Sequence, residues 1–173
     1  MSVSSIASAV EIFTTRLSTL EHLLKTGATH FPGDGDAYLA KRLAVDMHPL
    51  GTQVAFTCNQ PRNFSLWLNG APTIDLDPHV ESLATALRYI EETKDLLRAV
   101  TADDAALSTQ KRLELGAGLY ADLTGHQYLH DFLMPNFYFH LVTAYAILRM
   151  SGVQIGKRDY MVHLIPHVTR SAT

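Results

Sequence analysis

Apolar residues recur along the chain at two periods, and the periods divide it into elements. Ile6, Val10, Phe13, Leu17, Leu20 and Leu24 fall on one helical face, predicting a helix from Val3 to about Lys25 with Gly27 as its stop. The segment HFPGDGD, His30 to Asp36, has loop composition. A second helix is predicted from a cap at Asp36 through Leu39, Leu43, Asp46, Leu50, Val54 and Thr57. Pro49 should kink or restart it, Pro61 should do the same, and Gly70 with Pro72 ends it. After the polar linker APTIDLDP comes a third helix, Val80 to Val100. Its apolar stripe is Leu83, Leu87, Ile90 and Leu97, and its charged face carries Glu81, Arg88, Glu91, Glu92 and Asp95. KRLELGAGLYADL then alternates with period two on both sides of Gly116-Ala117-Gly118, the pattern of a short hairpin. Thr124 offers an N-cap for a fourth helix that runs to Met150, bends at Pro135 and stops at Gly152.

These elements predict an all-α fold, an antiparallel four-helix bundle with a short β-hairpin-like excursion between helices 3 and 4. Residues 1–160 form one domain in this scheme and 161–173 a C-terminal tail.

Composition narrows the function classes. At 173 residues, 47% hydrophobic and 18% charged, the chain is long enough for one well-filled core. A net charge of −3 without a basic run gives nucleic acid no electrostatic footprint. The single cysteine, Cys58, excludes an internal disulfide framework and a cysteine zinc cluster, and reads as a small buried hydrophobe. The first residues lack a basic n-region, and Glu11 interrupts their apolar run. The most apolar stretch is broken by Pro135, Asn136 and His140 and is too short to span a bilayer. The expectation is a cytoplasmic protein without a membrane partner.

That stretch, Leu133 to Arg149, is also where the chemistry concentrates. Asn136 and His140 lie four residues apart, hence on one helical face, in a stripe with Leu129, Leu133, Ala144 and Ile147. Burying either without a partner would cost roughly 1–3 kcal/mol, so side chains, water, metal or substrate must satisfy them. Tyr138, Val142, Tyr145 and Arg149 form the opposite face, and a helix apolar nearly all round is central or lies in a subunit interface, which predicts a homodimer. His126 and His130 have metal-ligand spacing but no evident third ligand and read as surface histidines. His30 sits in a first loop able to cover the mouth of a pocket.

The run PNFYFHLVTAYAILRMSGVQIGKRDY, with LAVDMHPLGTQV, resembles a branch of the DinB/YfiT-like helical superfamily. The resemblance implies a four-helix bundle, commonly dimeric, among metalloenzymes that include thiol-dependent transferases. It also implies a histidine on the second helix and a His-x-x-x-His pair on the fourth. Aligning ILRMSGV with the Leu-Arg-x-x-Gly ending of that fourth helix puts the second histidine on His140 and the first on Asn136. The second-helix histidine falls on or near Gln53. Amide oxygens are weak ligands for zinc or nickel, so no cofactor is favoured. A divalent metal, if bound, would draw on Asp46, His48 and His140. The function expected is a proton-transfer isomerase, cyclase or lyase acting on an apolar, aromatic, carbonyl-containing small molecule. His140, His48 and Asp46 are its catalytic candidates, and Asn136, Gln53, Tyr138 and His30 its substrate-binding ones. The alternatives are a metal-dependent transferase and a non-catalytic ligand-binding or dimerisation module.

Overall fold

The computed structural model describes residues 5–33 and 35–170. Val3, the predicted start of the first helix, lies outside the described residues, as do Asp34 of the first loop and residues 171–173 of the tail. Helix α1 spans Ser5–His30 and passes straight through Gly27. That glycine is a point of close approach, since a Cβ there would stand 2.8 Å from Leu148 and 3.3 Å from the Tyr38 ring.

The second predicted helix divides. Asp36 leads only into a 3-10 turn, Ala37–Ala40, and its side chain caps nothing. Residues 41–49 are irregular, and α2 begins at Leu50 and ends at Leu68. Pro49 takes the N-cap position in extended geometry. The residue before a proline is disfavoured in the helical region. At the edge of the helix that bias is enough to keep His48 out of it, whereas Gln60 before Pro61 is held helical from both sides. Pro61 stays inside α2 and is buried.

Helix α3, Leu83–Arg98, starts where the Ser82 side chain accepts from the Thr85 N–H. The hairpin follows as β1, Gln110–Gly116, and β2, Leu119–Thr124, with Arg112 opposite Asp122. Its turn needs positive φ at Gly116, Ala117 and Gly118. The Thr124 hydroxyl then accepts from Gln127 N–H, and the Gln127 side chain accepts from Thr124 N–H. This capping box opens a one-turn helix, α4, Gly125–Gln127. A π-helical turn, Tyr128–Leu133, joins it to α5, Met134–Met150, so Pro135 falls at the start of α5 just past a widened turn. Helix α6, Lys157–Tyr160, and a 3-10 turn, Val162–His167, fold back onto α1, where His22 meets Asp159 at 3.1 Å.

The long helices enclose one core centred on Phe13, Phe64 and Phe137, with Phe13 lying 5.0 Å edge-on to Phe137 and 5.9 Å from Phe64. Gln53 meets His140 and Trp67 meets Tyr128, so α2 and α5 are antiparallel. Gly51 abuts Val80 and Cys58 lies beside Thr93, so α3 runs alongside α2 in the same direction. Residues 69–82 therefore travel the length of the bundle to bring the chain back. This connection and β1 form two walls over the α2–α5 groove. No described helix is long and apolar enough to cross a membrane.

Candidate functional site

The buried stripe runs from Leu133 at the end of the π turn through Phe137, Leu141, Ala144 and Leu148 of α5. Asn136 and His140 flank that stripe rather than lying within it, and both are half-buried. His140 borders a cleft of about 490 Å³ bounded by α2, the 69–82 connection, β1 and the π turn.

A short relay fixes the imidazole. The Gln53 amide Nε2 donates to the backbone oxygen of His48 at 3.1 Å, which turns Oε1 toward α5. Oε1 stands 2.8 Å from His140 Nδ1, so Nδ1 is the protonated nitrogen and Nε2 keeps its lone pair. Burial, with a smaller contribution from the charge of His48, depresses the His140 pKa to about 4. The ring is therefore neutral at pH 7. Phe56 separates it from His48, its ring 5.1 Å from His140 and 5.2 Å from His48.

Of the residues singled out from sequence, Gln53, His48 and His140 come together. Asn136 turns back on its own helix, donating to the Phe132 oxygen at 2.7 Å. Asp46 is exposed on the irregular segment before α2, not two helical turns below Gln53, because the helix that would have carried it starts at Leu50. Tyr138 neighbours Phe137 and Tyr160 on the far side of α5. His30 stands beside Gly152, about 18 Å along the helix direction from His140. His126 and His130 are exposed and stack at 6.4 Å.

The donors do not suit a divalent metal. The three positions that the resemblance assigns to ligands hold Gln53, Asn136 and His140, and each of their amides is engaged as described. Among the described residues, no three His, Cys, Asp or Glu side chains gather in a metal-holding group. The metal-ligand set of Asp46, His48 and His140 fails because Asp46 lies on the exposed segment outside the cleft.

The rest of the cleft was not foreseen. Phe56, Tyr128 and Phe132 give it aromatic walls, while Asn59, Gln60, Asn63 and Lys111 make it far more polar than the apolar pocket expected. Asn59 is buried, and its Oδ1 accepts from the Leu76 N–H at 2.9 Å, while its amide hydrogens have no acceptor among the described residues. Asn63 donates to Asp75 at 2.8 Å, and its buried Oδ1 has no partner among the described residues. The available signal was CNQPRN in α2, polar residues in a core-facing segment.

Residues 7–161 match the family model described as "Domain of unknown function (DUF1993)". No functionally curated protein matches. Among solved structures, a DinB family member protein from Shewanella denitrificans is 32% identical, with 88% of each chain covered and a TM-score of 0.76. The histidine-bearing bundle wall, the hairpin after the third helix and these matches agree: the chain belongs to the DUF1993 family and has a DinB-like fold.

Proposed function

We propose that this protein is a small-molecule enzyme that moves a proton on a carbonyl compound, an isomerase, cyclase or lyase, with His140 as its base. The observation that carries this reading is the Gln53–His140 hydrogen bond, which fixes one tautomer and leaves Nε2 with its lone pair on a residue that borders the cleft. Nε2 would take a proton from the carbon next to the carbonyl, forming an enolate and an imidazolium. It would then return that proton to a second atom or to a leaving group. The free Asn59 amide hydrogens could hold the enolate oxygen. Gln53 is a positioning residue, and His48 could exchange protons between the cleft rim and solvent. An imidazole with a pKa of about 4 is a weak base, so the substrate proton must be acidic or the enolate charge must stabilise the imidazolium.

The same low pKa favours a second reading, a ligand-binding module in which Nε2 only accepts a hydrogen bond. The two separate cleanly. Wild-type protein in D2O, given a panel of aryl-substituted 1,3-dicarbonyl and α,β-unsaturated carbonyl compounds, should incorporate deuterium above the buffer rate by mass spectrometry. His140→Gln should lose that excess. Binding without exchange would leave the module. We also propose a homodimer formed on the outer face of α5, where Phe139 is 57% and Val142 47% exposed. A monomer mass by light scattering at micromolar concentration would refute it.

A further inference from the structure

The alternation of β1 sorts its charges onto two faces. Arg112 points outward, where Asp122 holds it at 2.8 and 2.9 Å, Glu114 adds negative charge beside it and Tyr120 lies under the guanidinium at 3.9 Å. Lys111 and Leu113 are half-buried on the other face, toward the bundle. The Lys111 ammonium stands 5.8 Å over the ring of Tyr128. It has no carboxylate partner among the described residues. Tyr128 cannot serve as its counter-ion, because burial pushes that phenol up to about 12. Asp75 accepts from Asn63, and neither it nor Glu114, which also borders the cleft, stands in an ion pair with Lys111. One half-buried cation thus faces the cleft without the anion it would ordinarily hold, at the end opposite His140.

We propose that Lys111 anchors a carboxylate of the ligand, making it an elongated organic monoanion whose other end reaches His140. A single ammonium matches one negative charge better than the two of a phosphate ester. Phe132 and Tyr128, stacked at 6.0 Å, line the path between the two ends and suit an aromatic or aliphatic spacer. The unpartnered Asn63 Oδ1 offers an acceptor for a donor group near the anchored end. The proposal deepens the reading of His140 and rests on it only for the role of the far end.

Calorimetry with 4-phenylbutanoate, 4-phenylbutanamide and 2-phenylethyl phosphate on the full chain at low salt tests the anchor. The acid should bind at least tenfold tighter than the amide, and no weaker than the phosphate. Lys111→Met should bring acid and amide within about twofold, and Lys111→Arg should restore the preference. The preference for acid over amide is read at Lys111 alone, so the anchor can stand even if the proton chemistry fails. Thermal melts confirm that each variant is folded. Equal binding of acid and amide, no binding of the acid at millimolar concentration, or a preference that survives Lys111→Met would each overturn the assignment. Tighter binding of the phosphate would replace the monocarboxylate with a dianion.

Discussion

Replacing Gln53 with glutamate would put a carboxylate where an amide oxygen now stands, 2.8 Å from His140 Nδ1. Opposite unit charges about 4 Å apart interact by about 4 kcal/mol at an effective dielectric near 20. That equals about three pH units, at about 1.4 kcal/mol each. His140 is only half-buried, and water and the carboxylate's own desolvation reduce the effect, so a rise of about two units is expected, from about 4 to about 6. The same shift governs stability. An unfolded chain protonates this histidine near pH 6.5 and the native chain only near 4, so the unfolded state binds the extra proton between those values. Stability should be level above about pH 7, fall from 6.5 to 4, and level off again below 4 as far as this group is concerned. The full shift corresponds to about 3 kcal/mol, and partial exposure reduces it to about 1–2 kcal/mol. In Gln53→Glu most of that acid loss should vanish. Long-range 1H–15N spectra follow both quantities, since they report the His140 tautomer and its titration directly, and urea melts at pH 7, 5.5 and 4.5 report the stability. A wild-type His140 that titrates near 6.5, or a variant whose histidine does not move upward, would refute the relay.

Two other perturbations follow from the packing, and one measurement from the donor set. Gly51→Ala would place a Cβ 2.0 Å from the Val80 carbonyl oxygen and should cost about 3 kcal/mol by urea denaturation; an effect below about 0.5 kcal/mol would show that the 69–82 connection yields freely. Phe137→Ala empties the aromatic centre that Phe13 packs against and should cost about 4 kcal/mol, with m unchanged if the bundle stays intact. Protein purified without added metal should carry well under one equivalent of zinc or nickel by mass spectrometry; one equivalent that disappears in His140→Ala would restore the metal reading and require Nε2 to be a ligand.

The helices could be read from sequence because their stripes are long. Val10 to Leu24 on α1 and Leu83 to Leu97 on α3 repeat over several turns, and the Gly-Ala-Gly break separates two alternating arms, so pattern alone locates them. Asp46 shows where that signal fails. Leu39, Leu43 and Leu50 keep a helical spacing, but the residue before Pro49 is disfavoured in the helical region, and two turns of pattern do not outweigh that local bias. Gln53 and His140 were legible as a pair only through the resemblance, since nothing in spacing links positions 87 residues apart. Asn59 and Lys111 were missed for a different reason. Their significance comes from what the 69–82 connection and Tyr128 leave unpaired, which is a property of assembled walls and not of a segment.

The π turn at Tyr128–Leu133 has an evolutionary consequence. It holds one residue more per turn than an α-helix, so deleting a single residue there would let the helix rewind and rotate everything before it by about 100° relative to α5. Tyr128 would swing away from the cleft while His140, beyond the slip, kept its place against Gln53. The Tyr128 wall of the cleft and the imidazole are thus on separately adjustable lengths of one rod. A lineage could reshape one end of the cleft by a single-codon deletion without disturbing the imidazole.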